Sequence, residues 1–301
     1  MKKKRIKTLS FMKDIAWSEL SFGYMPTDYN VRCCYRNGKW GEIEVCSDEY
    51  IKLHMAATCL HYGQEAFEGL KAYRCPDGKV RVFRMEENAA RLQSTCRGIM
   101  MPELPTDIFV EMVKKVVRLN QEYIPTYESG ATLYIRPLLI GTSAQVGVRP
   151  AEEYMFLIFV TPVGPYFKGG FSTNPYVIVR DYDRSAPLGT GIYKVGGNYA
   201  ASLRANHLAH EKGYACEFYL DAKEKKYMDE CGAANFFGIL ISPIVCHITL
   251  EPFIYSVLSM FCQIWFQRLT AQEQDNCTSI RLSKCIRTKA TDGNYIKVFQ
   301  Q

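Results

Sequence analysis

The sequence predicts a mixed α/β chain of two domains, on three observations. Strand-length apolar runs alternate with segments of helical period through the first 240 residues. A length of 301 residues suits two ordinary domains. The balance of 48% apolar to 23% charged residues is that of a core-forming globular protein.

Each element has its own signal. "KVRVFRM" alternates as a strand does and leads into "ENAARLQSTCRGIM", a helix for which Asn88 is the expected cap. "TDIFVEMVKKVVRLNQEYI" sets Ile108, Met112, Val116 and Leu119 at helical spacing behind a Thr-Asp start. "ATLYIRPLLIG", "EYMFLIFVTPVG" and "PYVIVRDY" are branched and aromatic runs of strand length. "GPYFKGGFST" between the last two reads as an interdomain loop. The expected organisation is one α/β domain over 1–163, a loop over 164–174, and a second domain beginning over 175–242. "GGNYAASLRANHLAHEKG" predicts a helix entered through Gly196-Gly197, capped by Asn198 and stopped by Gly213. "ACEFYLDAKEKKYMDECGAANFFGIL" reads as two strands around a charged turn.

At about residue 241 the text changes. Twenty of the twenty-one glycines lie at or before Gly238, and an apolar run without clean period is followed by a polar stretch. Residues 243–301 therefore read as a divergent tail foreign to the fold before it. Glu251 and Pro252 interrupt the apolar run, leaving the part over 252–266 too short to span a membrane.

A net charge of +6 is mild for this length, and the one basic run, "KKKR", sits at residues 2–5, which argues against nucleic acid as a partner. Twelve cysteines occur without any C-x-x-C, so neither a metal site nor a disulfide framework is expected; reduced, buried thiols in a cytoplasm are. No signal peptide is expected.

The chemistry centres on "GTGIYKVGGNYAAS" (189–202), where Lys194 stands among four glycines, its nearest C-terminal acid being Glu211. An amine withdrawn from water and carboxylates is disposed to lose its proton and become a nucleophile toward an aldehyde. A solvated lysine in a glycine-rich turn is the bland alternative. Pyridoxal phosphate requires such a lysine, an acid for its pyridine nitrogen and a cationic phosphate cradle. Glu230, at a strand end before Gly232, Ala233 and Ala234, offers the acid, or is an ordinary turn acid. Arg91, with Arg84 and Arg97 nearby, offers a phosphate partner, or is a solvated charge.

"YGQEAFEGLKAYR" (62–74), "LYIRPLLIGT" (133–142), "GPYFKGG" (164–170), "YKVGGNYAASL" (193–203) and "YMDECGAANFFGI" (227–239) together resemble the successive signatures of branched-chain aminotransferases, which are class IV pyridoxal-phosphate enzymes. The resemblance covers residues 15 to about 242. It implies fold type IV: a smaller α/β domain and a larger pseudo-barrel domain, assembled as a homodimer in the cytoplasm. Carried onto this sequence, it makes Lys194 the Schiff-base lysine and proton carrier. Tyr199 becomes the partner of the cofactor phenolic oxygen, Glu230 the partner of the pyridine nitrogen, and Arg91 a phosphate ligand. Phe22, Tyr62, Phe67, Tyr134 and Tyr166, with Arg136, would line a mostly apolar substrate pocket. The implied reaction moves the amino group of leucine, isoleucine or valine to 2-oxoglutarate.

The tail departs from the family pattern. The phosphate-binding "GVTR" turn and the carboxylate-binding Gly-Thr-Ala turn are both missing after Pro243, as though the text came from another reading frame or exon. The alternatives are an inactive homologue without stable cofactor binding, or a D-amino-acid aminotransferase or aminodeoxychorismate lyase. "FEGLKAYR" and "LYIRPLLIG" favour the branched-chain type.

Overall fold

A computed structural model describes residues 13–165, 174–232 and the backbone of 296–298. They fall into two compact units, one of residues 13–165 with 188–200, the other of 174–187 with 201–232 and 296–298. Apart from the backbone of 296–298, the expected divergent tail lies outside the described residues, as does most of the expected interdomain loop.

The first unit is an antiparallel sheet with helices on one face. Its strands are β1 (Asn30–Arg36), β2 (Lys39–Trp40), β3 (Glu44–Cys46), β4 (Glu65–Phe67), β5 (Leu70–Arg74), β6 (Val80–Val82), β7 (Thr132–Gly141) and β8 (Tyr154–Val163). The order is β2-β1-β8-β7-β5-β6, with β3 added to β1 and β4 to β7. The two longest strands, β7 and β8, pair over their full length from Thr132↔Val163 to Gly141↔Tyr154. Helix α1 (Thr58–Tyr62) precedes β4, while α2 (Met85–Gly98) and α3 (Thr106–Leu119) lie between β6 and β7 in the chain.

Strand β7 explains how the unit is layered. Leu133, Ile135 and Leu139 are buried and join Leu92 and Cys96 of α2 and Phe109, Met112 and Val116 of α3 in one hydrophobic core. Each such large apolar side chain contributes on the order of 1.5–3 kcal/mol when fully buried. Tyr134, Arg136 and Leu138 alternate with them and therefore project from the opposite face. The α3 stripe is broader than its sequence spacing suggested: Phe109, Val113 and Val117 are buried with Met112 and Val116, while Ile108 and Leu119 pack at the margin.

Two expected caps are corrected. Helix α2 begins at Met85 behind Arg84, which is left-handed (φ 42°) and makes no side-chain cap. Asn88 lies one turn further in and donates instead to the Glu68 carboxylate at 2.8 Å. Helix α4 (Gly196–Glu211) likewise begins two residues before Asn198. The Asn198 amide donates to the Thr190 and Tyr193 carbonyls at 2.8 Å each, holding the chain that precedes the helix. The stop at Gly213 agrees with the structure: φ is +78° and its amide donates to the His210 carbonyl.

In the second unit β9 (Asn174–Val179) pairs in parallel with β10 (Cys216–Leu220), and β10 pairs antiparallel with β11 (Met228–Cys231). The expected charged turn joins β10 to β11. Asp221 organises it, its carboxylate accepting from the amides of Glu224, Lys226 and Tyr227. Tyr176, Cys216, Phe218 and Cys231 form a small core. Glu217 is buried beside it and accepts from Asn206 Nδ2 at 2.8 Å and the Tyr219 hydroxyl at 3.3 Å. From the expected tail, β12 (Ile296–Val298) pairs antiparallel with β9. The cysteines of the described residues form no disulfide; Cys33, Cys96, Cys216 and Cys231 are buried, whereas Cys34, Cys46, Cys59 and Cys75 are only partly so.

Candidate active site

The site of the first unit is built on the sheet face opposite its core. Strand β4 lies against β7 in the register Glu65↔Ile140 and Phe67↔Leu138, which puts Glu65 and Phe67 on the same face as Tyr134 and Arg136. Ala66, between them, points into the core and is fully buried.

Lys194 is brought to this face by its backbone. Its amide donates to Thr95 Oγ1 of α2 at 3.1 Å, and its carbonyl accepts from the Phe67 amide of β4 at 3.1 Å. Helix α4 starts two residues later, and its first turn returns Tyr199 toward the lysine. The Lys194 Nζ then donates to the Tyr199 hydroxyl at 2.9 Å. Among the described residues no carboxylate forms an ion pair with Lys194. The amine lies 4.8 Å from the Phe67 ring centre and 5.2 Å from that of Tyr199, and those rings are 5.1 Å apart. Two aromatic rings and a phenol hydroxyl thus border the amine.

Arg136 extends the cluster. Its guanidinium is 4.9 Å from the Phe67 ring and donates to the Tyr134 hydroxyl at 3.1 Å from Nη2. Phe22 packs edge-on against Tyr134 at 5.4 Å between ring centres. Phe22, Phe67, Tyr134, Arg136, Lys194 and Tyr199 thus form one connected group.

Arg91 projects from α2 and is held in two places. Its Nε and Nη2 donate to the two oxygens of Glu68 at 2.7 Å each. The Glu68 side chain is fully buried, while that of Arg91 is half exposed. A guanidinium gripped along one edge keeps its other amine, Nη1, for a further anion.

One expected aromatic site residue of the first unit, Tyr62, stands apart from this group. Tyr62, in α1, donates to the Val146 carbonyl and contacts His61 rather than the Phe67–Tyr134 cluster. Tyr166 lies outside the described residues. Glu230 belongs to the second unit, on β11, where Arg184 Nε meets its Oε2 at 2.9 Å. Arg184 is 8% exposed and Glu230 44%, so the guanidinium is the buried partner.

Sequence reasoning missed Glu65, Glu68, Thr95 and Arg184. Glu68 had a signal, an acid held in the middle of the apolar "AFEGL". The others are ordinary polar residues whose partners lie far along the chain.

These residues fit pyridoxal phosphate. In the first unit, an amine with no carboxylate paired to it among the described residues, a phenol beside it and a guanidinium with a spare edge belong to the donor set that the cofactor requires.

Residues 65–244 match the family model described as amino-transferase class IV. The chain belongs to that family. It is 49% identical over 233 residues to the branched-chain-amino-acid aminotransferase of Haemophilus influenzae, an overlap of 76% of this chain and 68% of that one. With the enzyme of the same name from Helicobacter pylori it is 45% identical over 229 residues, 76% of this chain and 67% of the other. The solved Escherichia coli branched-chain amino acid aminotransferase superposes with a TM-score of 0.55 at 28% identity, over 68% of this chain and 63% of that chain. The chain therefore spans about two thirds of the length of these relatives. Class IV aminotransferases are pyridoxal-phosphate enzymes of fold type IV, so fold and cofactor class agree with the expectation from the motifs.

Proposed function

We propose that this chain is a pyridoxal-phosphate-dependent transaminase that transfers the amino group of L-leucine, L-isoleucine or L-valine to 2-oxoglutarate. The observation that carries the reading is the Lys194–Tyr199 contact of 2.9 Å on an aromatic sheet face, with no carboxylate paired to the amine among the described residues. The names of the relatives support the substrate class.

When bound, the cofactor supplies an aldehyde carbon and an electron-withdrawing ring that acidifies the substrate α-hydrogen. The chain supplies the rest. Lys194 Nζ would hold the cofactor's aldehyde carbon and would carry the substrate α-proton. The Tyr199 hydroxyl accepts from Nζ and would partner the cofactor's phenolic oxygen. Arg91 binds phosphate with the edge turned away from Glu68. Glu230 would serve the pyridine nitrogen, with Arg184 Nε 2.9 Å from its Oε2. Phe22, Phe67 and Tyr134 exclude water from a branched aliphatic side chain, and Arg136 receives a carboxylate.

The proposed assembly is a homodimer in the cytoplasm. Met55, Leu60, Val146 and Val148 are exposed at 83%, 59%, 85% and 84%, an apolar set that a second copy would cover. The Tyr62 hydroxyl and the Gln145 amide tie the two segments bearing it together. Among the described residues no helix is long and apolar enough to cross a membrane.

The test is a visible spectrum and an assay. Purified protein with pyridoxal phosphate is expected to show the absorption of lysine-bound cofactor, absent in Lys194→Ala, and to transfer nitrogen from L-leucine but not D-alanine. A colourless wild type overturns the reading.

A further inference from the structure

We propose that Glu65 is a positioning residue for Lys194, acting through the Gly196 amide as a hydrogen-bond acceptor. The Gly196 N–H is the first donor of α4 and has no partner within the helix. It donates to Glu65 Oε1, on a strand 131 positions earlier in the chain. The same carboxylate explains the residue at 196, because a Cβ there would run into Glu65 Oε1. Glu65 and Gly196 are thus coupled positions, since a Cβ at 196 would push the Glu65 carboxylate off the Gly196 amide.

The consequence for Lys194 follows from the neighbouring bonds. Thr95 fixes its amide, Phe67 fixes its carbonyl, and Glu65 fixes the amide two residues on. The first turn of α4, which carries Tyr199, then has one position relative to β4. Releasing the Gly196 amide frees that turn to rotate, and the contact between Lys194 Nζ and the Tyr199 hydroxyl loosens with it. Glu65 itself reaches neither Nζ nor that hydroxyl. Burial pushes its carboxyl above the usual range, while the Gly196 amide and the Arg136 charge pull it back, which fits an acid enclosed at this helix start.

The structural part stands without any cofactor; only its catalytic consequence rests on the transaminase reading. The test uses the full chain without added pyridoxal phosphate. Amide hydrogen exchange of the peptide spanning 194–199 and the rate of Lys194 acylation are measured by mass spectrometry. In Glu65→Ala the exchange is expected to quicken about fivefold to tenfold, the loss of one hydrogen bond, and acylation of Lys194 to change with it. Glu65→Gln, whose carboxamide oxygen still accepts, is expected to restore more than half of the lost protection. Gly196→Ala is expected to mimic Glu65→Ala, and the double variant to be no worse than either alone.

Wild-type exchange in both Glu65→Ala and Gly196→Ala overturns the proposal. So does a Glu65→Gln that restores less than half, since the charge rather than the acceptor would then matter. With cofactor added, Glu65→Ala is expected to lower kcat while KM for leucine stays near wild type. A wild type that binds no cofactor removes the transaminase reading and leaves the exchange result intact.

Discussion

The Arg91 guanidinium grips the buried Glu68 carboxylate with two parallel hydrogen bonds of 2.7 Å, from Nε and Nη2. Asn88 donates to the same carboxylate from the same helix face. The pair therefore fixes where the remaining guanidinium edge points, which a flexible ammonium would not do. In Arg91→Lys the affinity for pyridoxal phosphate is expected to fall about tenfold to a hundredfold, the loss of a charge-assisted bond. Affinity for pyridoxal, which lacks the phosphate, is expected to change little. Titration of both ligands checks it, and an equal loss for the two excludes a phosphate role.

The second expectation separates the amine from its phenolic partner. Lys194→Ala is expected to abolish transfer, by a factor on the order of a thousand or more. Tyr199→Phe keeps the ring beside Phe67 and removes only the hydroxyl that accepts from Nζ. It is expected to lower kcat about tenfold to a hundredfold while the protein melts within a few degrees of wild type. Steady-state kinetics and a melting curve decide it.

In the second unit the contact to test lies behind Glu230. A Cβ on Gly232 would overlap the Glu217 carboxylate, which is buried and already accepts from Asn206 and Tyr219. Gly232→Ala is expected to destabilise by about 1–3 kcal/mol through overpacking. Combining it with Glu217→Ala removes the clash, so the two losses are expected not to add. Denaturant melts of the three variants measure the coupling.

Two thiols predict a dependence on pH. Burial pushes the Cys96 and Cys231 thiols up to about 12 each, the nearby Glu103 and Cys216 groups adding to the shift. Between pH 9 and 12 the folded state then holds protons that the unfolded chain releases, so stability falls as pH rises through that window. Among the cysteines of the described residues, alkylation of the native protein at pH 8 is expected to spare Cys96 and Cys231 and to reach Cys46 and Cys75 first. Peptide mapping after brief iodoacetamide treatment reads the order.

Much of the fold was legible because its larger elements carry their own period. Strands β7 and β8 are ten residues each, and α3 repeats its apolar positions through three turns. The two- to seven-residue strands β1 to β5 are too short for such a signal. Lys194 stood out in its glycine-rich stretch and Tyr199 came with the family resemblance, while the 2.9 Å contact between them is seen only in the structure. The ties of Glu65 to Gly196 and Thr95 to Lys194 were not legible, since they join positions 131 and 99 apart and depend on sheet register. Asn88 and Asn198 misled for a related reason. Both look like caps locally, yet their amides are spent on Glu68 and on the residues before α4.

The alternation along β7 has a practical corollary. Leu133, Ile135 and Leu139 answer to the packed interior, whereas Tyr134 and Arg136 between them answer to whatever molecule rests on the outer surface. A mutant library confined to the outward positions would sample new substrate preferences from a scaffold that stays folded. The same diversity spread over all ten positions would be lost mostly to misfolding, and selection for turnover would recover few variants.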